Sequence, residues 1–240
     1  MKRKPGETRK KLIHFQEEKY DAWRMDLKES RLDKVARLIF QEKSGKMLDI
    51  GCSGGEFGSK FLDLGWKVFG IDIARKQVEK ARKRGLTVYR SDMEKKLPFK
   101  AGFFDLVFAG EVIEHVADTT KFLKEIFRVL RAKGVLILTT PNLASLENRL
   151  RVLLGIQPLW VDFKLEKSSG HIRAYTPSAL KEQLEEVGFK VEKQTGNFVP
   201  IWQLRWNDLN CPWLRLTGDW LPSLSQCIII KARKASILLG

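Results

Sequence analysis

The apolar positions of this chain follow two alternating rhythms. Leu32, Val35, Ala36 and Ile39 recur at the three- and four-residue spacing of one helix face. Five short apolar runs of strand length follow: "MLDI", "VFGIDI", "LTVYR", "FFDLVFAG" and "GVLILTT". Between them lie helical patterns, of which "DTTKFLKEIFRVLRAKG" puts Phe122, Ile126 and Leu130 on one face and Gly134 near its end. Strands separated by helices predict an α/β fold, a doubly wound, mostly parallel sheet covered by helices on both faces. Further on, Thr176 and Pro177 read as the cap and first position of a helix over "SALKEQLEEVG". The strands "FKVEKQ" and "QCIIIKARK" bring the total to seven. No clear helical spacing separates these two, so they are expected to form an antiparallel closing pair.

Composition adds bounds to this pattern. With 240 residues, 43% hydrophobic and 30% charged, the chain suits one α/β domain over residues 45–240, preceded by a helical segment and basic tail over residues 1–44. No apolar run approaches the ~18 residues of a membrane span. The amino-terminal "MKRKPGETRKK" lacks a hydrophobic signal core, so a cytoplasmic protein is expected. Cys52, Cys211 and Cys227 are too scattered for a disulfide framework, and no Cys-x-x-Cys pair is present to hold zinc. The 44 Lys and Arg against 29 Asp and Glu give a formal charge of +15, which favours nucleic acid or an anionic membrane surface as partner. The densest cluster, Lys2, Arg3, Lys4, Arg9, Lys10 and Lys11, fits a solvated tail as well as it fits phosphate contact.

The stretch "MLDIGCSGGEFG" carries the first chemistry. Gly51, Gly54 and Gly55 stand where the first strand hands over to a helix, so the backbone can turn tightly and approach a ligand without an intervening Cβ. Asp72 ends the second strand, 21 residues beyond Gly51, where a carboxylate accepts hydrogen bonds from both hydroxyls of a ribose. A nucleoside cofactor is expected. Ser53 and Glu56 occupy places where a dinucleotide-binding loop has glycine, which disfavours pyrophosphate.

At these residues the chain resembles the class I S-adenosylmethionine-dependent methyltransferases, whose first motif is Asp/Glu-x-Gly-x-Gly-x-Gly and reads here Asp49-Ile50-Gly51-Cys52-Ser53-Gly54-Gly55. The similarity extends over residues 45–142, through "SDM" and "FFDLVFAGEVIEHV". It implies S-adenosylmethionine held by Asp49, Gly51, Cys52, Ser53 and Gly55, by Asp72 and Ile73 after the second strand, and by Asp92 and Met93 after the third. Gly110 at the exit of the fourth strand and Tyr20 near the amino terminus complete the implied set, with Trp23 beside Tyr20 as a second aromatic that closes over the cofactor or packs in the core.

The same resemblance marks "EVIEHV". If residues 111–116 begin a helix, Glu111, Glu114 and His115 project from one face toward the carboxyl ends of the strands. Related enzymes that methylate ring hydroxyls in quinone synthesis, or the terminal 2′-hydroxyl of small RNAs, resemble this arrangement and use it to hold a divalent metal. His171, in "SSGHIRAYTP", lies where such enzymes supply another histidine. Glu111, Glu114, His115 and His171 are therefore a candidate set for Mg²⁺, Mn²⁺ or Zn²⁺. Glu114, His115 and His171 are equally candidates for direct catalysis, since Glu-His here also occurs in relatives without metal, where the histidine orients substrate or acts as base. His14 reads as surface or packing.

Two insertions look like lids that choose the acceptor: residues 142–176 and residues 197–224. The second holds Trp202, Trp206, Trp213 and Trp220 of the chain's seven tryptophans, broken by Pro200, Pro212 and Pro222, which exclude one long helix. Its indoles form an apolar pocket, a dimer contact or a membrane-surface patch, or simply pack onto the sheet. The expected activity is O-methylation of a small hydrophobic or aromatic acceptor by in-line methyl transfer. An RNA methyltransferase is the alternative favoured by the charge, and no RNA-binding module is visible to support it.

Overall fold

A computed structural model describes residues 30–161, 170–200 and 212–235. Seven strands form one sheet: β1 (Lys46–Ile50), β2 (Lys67–Asp72), β3 (Thr87–Arg90), β4 (Phe104–Gly110), β5 (Leu130–Pro141), β6 (Phe189–Gly196) and β7 (Cys227–Lys234). Their order across the sheet is β3-β2-β1-β4-β5-β7-β6. β7 runs antiparallel to both of its neighbours, and the pairings among β1 to β5 are parallel. The expected doubly wound α/β sheet with its antiparallel closing strand is the one observed.

Alternate residues of each strand feed opposite faces, as the two-residue period of a pleat requires. Leu48, Ile50, Val107, Ala109, Leu136 and Leu138 join one core, beneath helices α4 (Thr119–Val129) and α6 (Pro177–Val187). Met47, Leu106, Phe108, Val135 and Ile137 join the other, beneath α1 (Ser30–Phe40) and α3 (Arg75–Lys83). Three further helices are found among the described residues: α2 (Glu56–Ser59), α5 (Leu146–Leu153) and α7 (Pro212–Trp220). Thr176 caps α6 by accepting from the Ala179 N–H, with Pro177 at the first helical position, as its sequence foretold.

Two expectations are corrected. The helix over residues 118–134 stops at Val129, because Leu130 turns extended, pairs with Phe104 of β4 and is wholly buried. Helical spacing and a buried strand start give Leu130 the same apolar character, and burial decided. Residues 111–116 form no α-helix. Glu111 adopts φ 55° and only Ile113–His115 make a single 3₁₀ turn.

Among the described residues no helix is long and apolar enough to cross a membrane. Tyr20, Trp23, His14, the basic amino-terminal cluster, Trp202 and Trp206 lie outside the described residues.

Candidate active site

The parallel strands end together, and the turns that leave β1, β2, β3 and β4 border one crevice at the carboxyl edge of the sheet. Its tightest part is the glycine turn. Gly51 and Gly55 have φ 70° and 80°, and a Cβ on Gly51 would stand 2.9 Å from Val112 Cγ2. Ser53 also lies in the left-handed region, at φ 47°. The Gly51 and Cys52 N–H groups donate to the Ile71 carbonyl at 2.9 and 3.1 Å, pulling the turn against β2. Asp72 braces it from the other side, accepting from Ser53 N–H at 3.0 Å and from Ala74 N–H at 2.8 Å. Both carboxylate oxygens keep spare lone pairs for a ligand.

The other residues expected to hold the cofactor border the same crevice or its floor. Asp49 is buried, and burial, then the charge of Asp72, pushes its carboxyl up to about 7. Ile73 is 58% exposed beside Asp72. Asp92, just past β3, accepts from the Glu94 N–H at 3.0 Å, and Met93 packs against the core. Gly110 ends β4 where a Cβ would meet the Phe108 ring at 2.5 Å. Cys52 differs from the rest: its thiol is buried against Gly70, and burial raises it to about 12. That side chain belongs to the core rather than to the crevice. A bare backbone turn, an accessible carboxylate and an apolar flank together fit the amino-acid and ribose parts of S-adenosylmethionine.

Beyond β4, a polar cluster faces the same edge. Glu114 is 1% exposed, and its Oε2 accepts from the Thr140 hydroxyl at 2.9 Å. Its Oε1 has no hydrogen-bond partner among the described residues and lies 3.9 Å from His171 Nε2. Burial, and then the Glu111 charge, lift this carboxyl to about 7. His115 holds the Gly170 carbonyl at 2.9 Å through Nδ1. A carbonyl only accepts, so that nitrogen carries the hydrogen and Nε2 is the basic one. The two imidazole rings lie edge to face, 4.8 Å apart. The segment bearing His171 is stitched in place by Ile172 N–H to the Glu114 carbonyl at 3.0 Å, Arg173 to the Ala117 carbonyl at 2.5 Å, and an Asn142–Tyr175 bridge.

Glu114, His115 and His171 have ligand atoms within 4.8 Å of one another. Glu111, expected with them, stands outside that group. Its Oε1 accepts from Thr139 Oγ1 at 2.9 Å and contacts the Cys227 thiol at 3.4 Å, with Arg31 of α1 at 3.9 Å. The left-handed backbone at Glu111 removes the shared helix face on which the four-residue set depended.

Arg31, Thr139, Thr140 and Trp160 were not singled out by the sequence reading. The two threonines carried a readable signal, since paired hydroxyls at the end of the apolar run "VLIL" face the carboxyl edge of a buried strand. Arg31 and Trp160 reach the site only through tertiary packing.

A family model described as "Methyltransferase domain" matches residues 15–194. A ubiquinone biosynthesis O-methyltransferase of Xanthomonas axonopodis pv. citri is 30% identical over 73% of this chain and 74% of its own length. A Bartonella bacilliformis protein of the same name is 35% identical over 40% of this chain and 41% of its own length, so the chain spans less than half of that relative. A SAM-dependent methyltransferase structure from Thermotoga maritima superimposes with a TM-score of 0.64 over 93% of this chain and 97% of that one, at 22% identity, a likeness of fold.

Proposed function

The chain belongs to the class I S-adenosylmethionine-dependent methyltransferase family, and we propose that it methylates a hydroxyl oxygen of a small hydrophobic or aromatic acceptor. When bound, S-adenosylmethionine supplies an electrophilic methyl group on a positively charged sulfur. Gly51, Ser53, Gly55, Asp72 and Ile73 hold its amino-acid and ribose parts in this reading, with Asp92 and Met93 on the side of the base and Gly110 across β1 from them.

The observation that carries the oxygen-directed reading is Glu114. A hydroxyl needs its proton removed as it attacks, and a carboxyl lifted to about 7 is matched to accept one near neutral pH. Its Oε1 is buried with no hydrogen-bond partner among the described residues, beside His171. His171 and His115 then disperse the proton taken up, and the buried Thr140 bond fixes the carboxylate in place. The O-methyltransferase names of the relatives support the same atom class.

The same three side chains are the donor set a divalent cation would take, with His115 oriented by the Gly170 carbonyl, as ligating imidazoles commonly are by a backbone oxygen. Such an ion would lower the pKa of the acceptor hydroxyl. Transfer of labelled methyl to a panel of ring hydroxyls, with and without chelator, separates the two uses. We expect Glu114→Gln to lose on the order of 10²–10⁴ in kcat while cofactor affinity is kept. Full activity in that variant ends the proton-acceptor reading, and chelator-insensitive turnover ends the metal one. The basic segment that favoured RNA lies outside the described residues, and the relatives' names give that alternative no added support.

A further inference from the structure

Residues 156–161 form a strap after α5 that carries Trp160. The Ile156 N–H donates to the Arg151 carbonyl at 2.7 Å and Arg151 reaches the Gln157 carbonyl at 3.5 Å, and a buried side chain grips the strap next to Trp160. Asn148 of α5, 1% exposed, accepts from the Leu159 N–H at 2.7 Å. Its Nδ2 points to the Leu159 carbonyl at 3.5 Å and the Asn142 carbonyl at 3.2 Å. Asn142, fully buried, donates in turn to the carbonyls of Ser223 and Ser225 at 3.0 and 2.8 Å and accepts from the Ala144 N–H at 2.9 Å. Two side-chain amides thus tie three loops at the carboxyl edge of the sheet into one body. Buried amides are costly unless their hydrogen bonds are met. These are met on both the donor and the acceptor side, which makes the pair a device for fixing position.

What the strap positions is Trp160. The residue sits at φ 70° without being glycine, a backbone state that persists where surrounding contacts over-determine it and that concentrates at functional sites. Its indole lies 5.7 Å from the His171 ring, tilted by 39°, and is only half-buried. The ring is therefore held against His171, which in turn lies 3.9 Å from Glu114 Oε1, with part of its surface left for a ligand.

We propose that Trp160 is the acceptor-side wall of the site, that Asn148 is its positioning residue, and that together they select a flat aromatic ring lying against the indole with its hydroxyl directed at Glu114 and His171. This rests on the methyltransferase reading and narrows its acceptor class. A rigid indole rewards a flat ring through stacking of the two π-systems, a gain that a saturated ring of similar size and equal hydroxyl count does not share.

The test uses the full chain, with catechol and trans-cyclohexane-1,2-diol as probes, titrated by ligand-observed NMR with and without saturating S-adenosylhomocysteine. The wild type should favour catechol by about tenfold. Trp160→Ala should abolish that preference and Trp160→Phe should largely retain it. Asn148→Ala should fall toward Trp160→Ala with its indole intact, and Asn148→Asp, which keeps the acceptor for the Leu159 N–H but sets a carboxylate oxygen against the Asn142 and Leu159 carbonyls, should recover nothing. S-adenosylhomocysteine affinity, unchanged in all four variants, reports that the fold is intact. Equal affinity for the two diols in the wild type, or an undiminished preference in Trp160→Ala, overturns the proposal. A wild type that binds no S-adenosylhomocysteine refutes the methyltransferase reading instead, while the catechol preference is still read on its own.

Discussion

Asp49 and Glu114 are carboxyl groups that the fold keeps from water, and both titrate near 7 instead of at 3.8 and 4.5. A folded-state value above the unfolded one means that the native protein keeps its proton through a window where the unfolded chain has released it. Their contribution to stability is thus complete at low pH and is lost as pH rises from about 4 through about 7. Asp49→Asn should flatten this dependence: the difference in urea stability between pH 5 and pH 8 should shrink by on the order of 1–3 kcal/mol. A pH dependence identical to wild type would show that Asp49 titrates normally. Asp72 works through hydrogen bonds rather than burial. Asp72→Ala removes both the proposed ribose acceptor and the brace on the Ser53 and Ala74 N–H groups, so calorimetry should find S-adenosylmethionine binding weakened at least about tenfold, the loss expected of a charge-assisted bond. Unchanged affinity would refute its assignment. Asp72 was legible because its spacing from Gly51 is set by one strand–helix–strand unit. The inward turn of the Cys52 thiol was not, since motif spacing fixes backbone position and says nothing of which way a side chain packs.

Elements were legible where one period dominated. The seven strands overlap the apolar runs, β5 alone starting well ahead of its run, at Leu130, and α6 begins at its Thr-Pro signal. The misread boundaries, at Leu130 and at residues 111–116, lie where a local helical rhythm competes with a neighbouring strand or with a left-handed residue. Contact between distant helices was invisible in the sequence. Lys34 of α1 is buried and pairs with Asp219 of α7 at 3.0 Å, Asp33 lies 3.7 Å from Arg215, and Thr195 of β6 donates to Asp219. Burial lowers the Lys34 pKa and the Asp219 carboxylate opposes that shift. Asp219→Ala strips the buried ammonium of this partner, so chemical denaturation should register a loss of about 1–3 kcal/mol. Proteolysis should begin near α7. A variant as stable as wild type would mean that α7 is held by apolar contacts alone.

At the scale of the whole molecule, the formal +15 acts as a diffuse field. If the acceptor is a small aromatic, tRNA should bind weakly, with affinity falling steeply as salt rises and with no preference among sequences. A salt-resistant, sequence-selective complex would instead restore the RNA alternative. The sequence by itself determined the parallel sheet, its closing strand and the glycine turn with Asp72 beside it. Each of these depends on periodicity or on spacing within one strand–helix unit, which are local properties of the chain. Only the tertiary structure decided the acceptor half: Glu114 paired with His171, Glu111 drawn away toward Thr139 and Arg31, and Trp160 held over the site by two buried asparagines. Those partners lie far apart along the chain, and what joins them is the requirement that buried polar groups find one another, a condition that exists only once the core has closed.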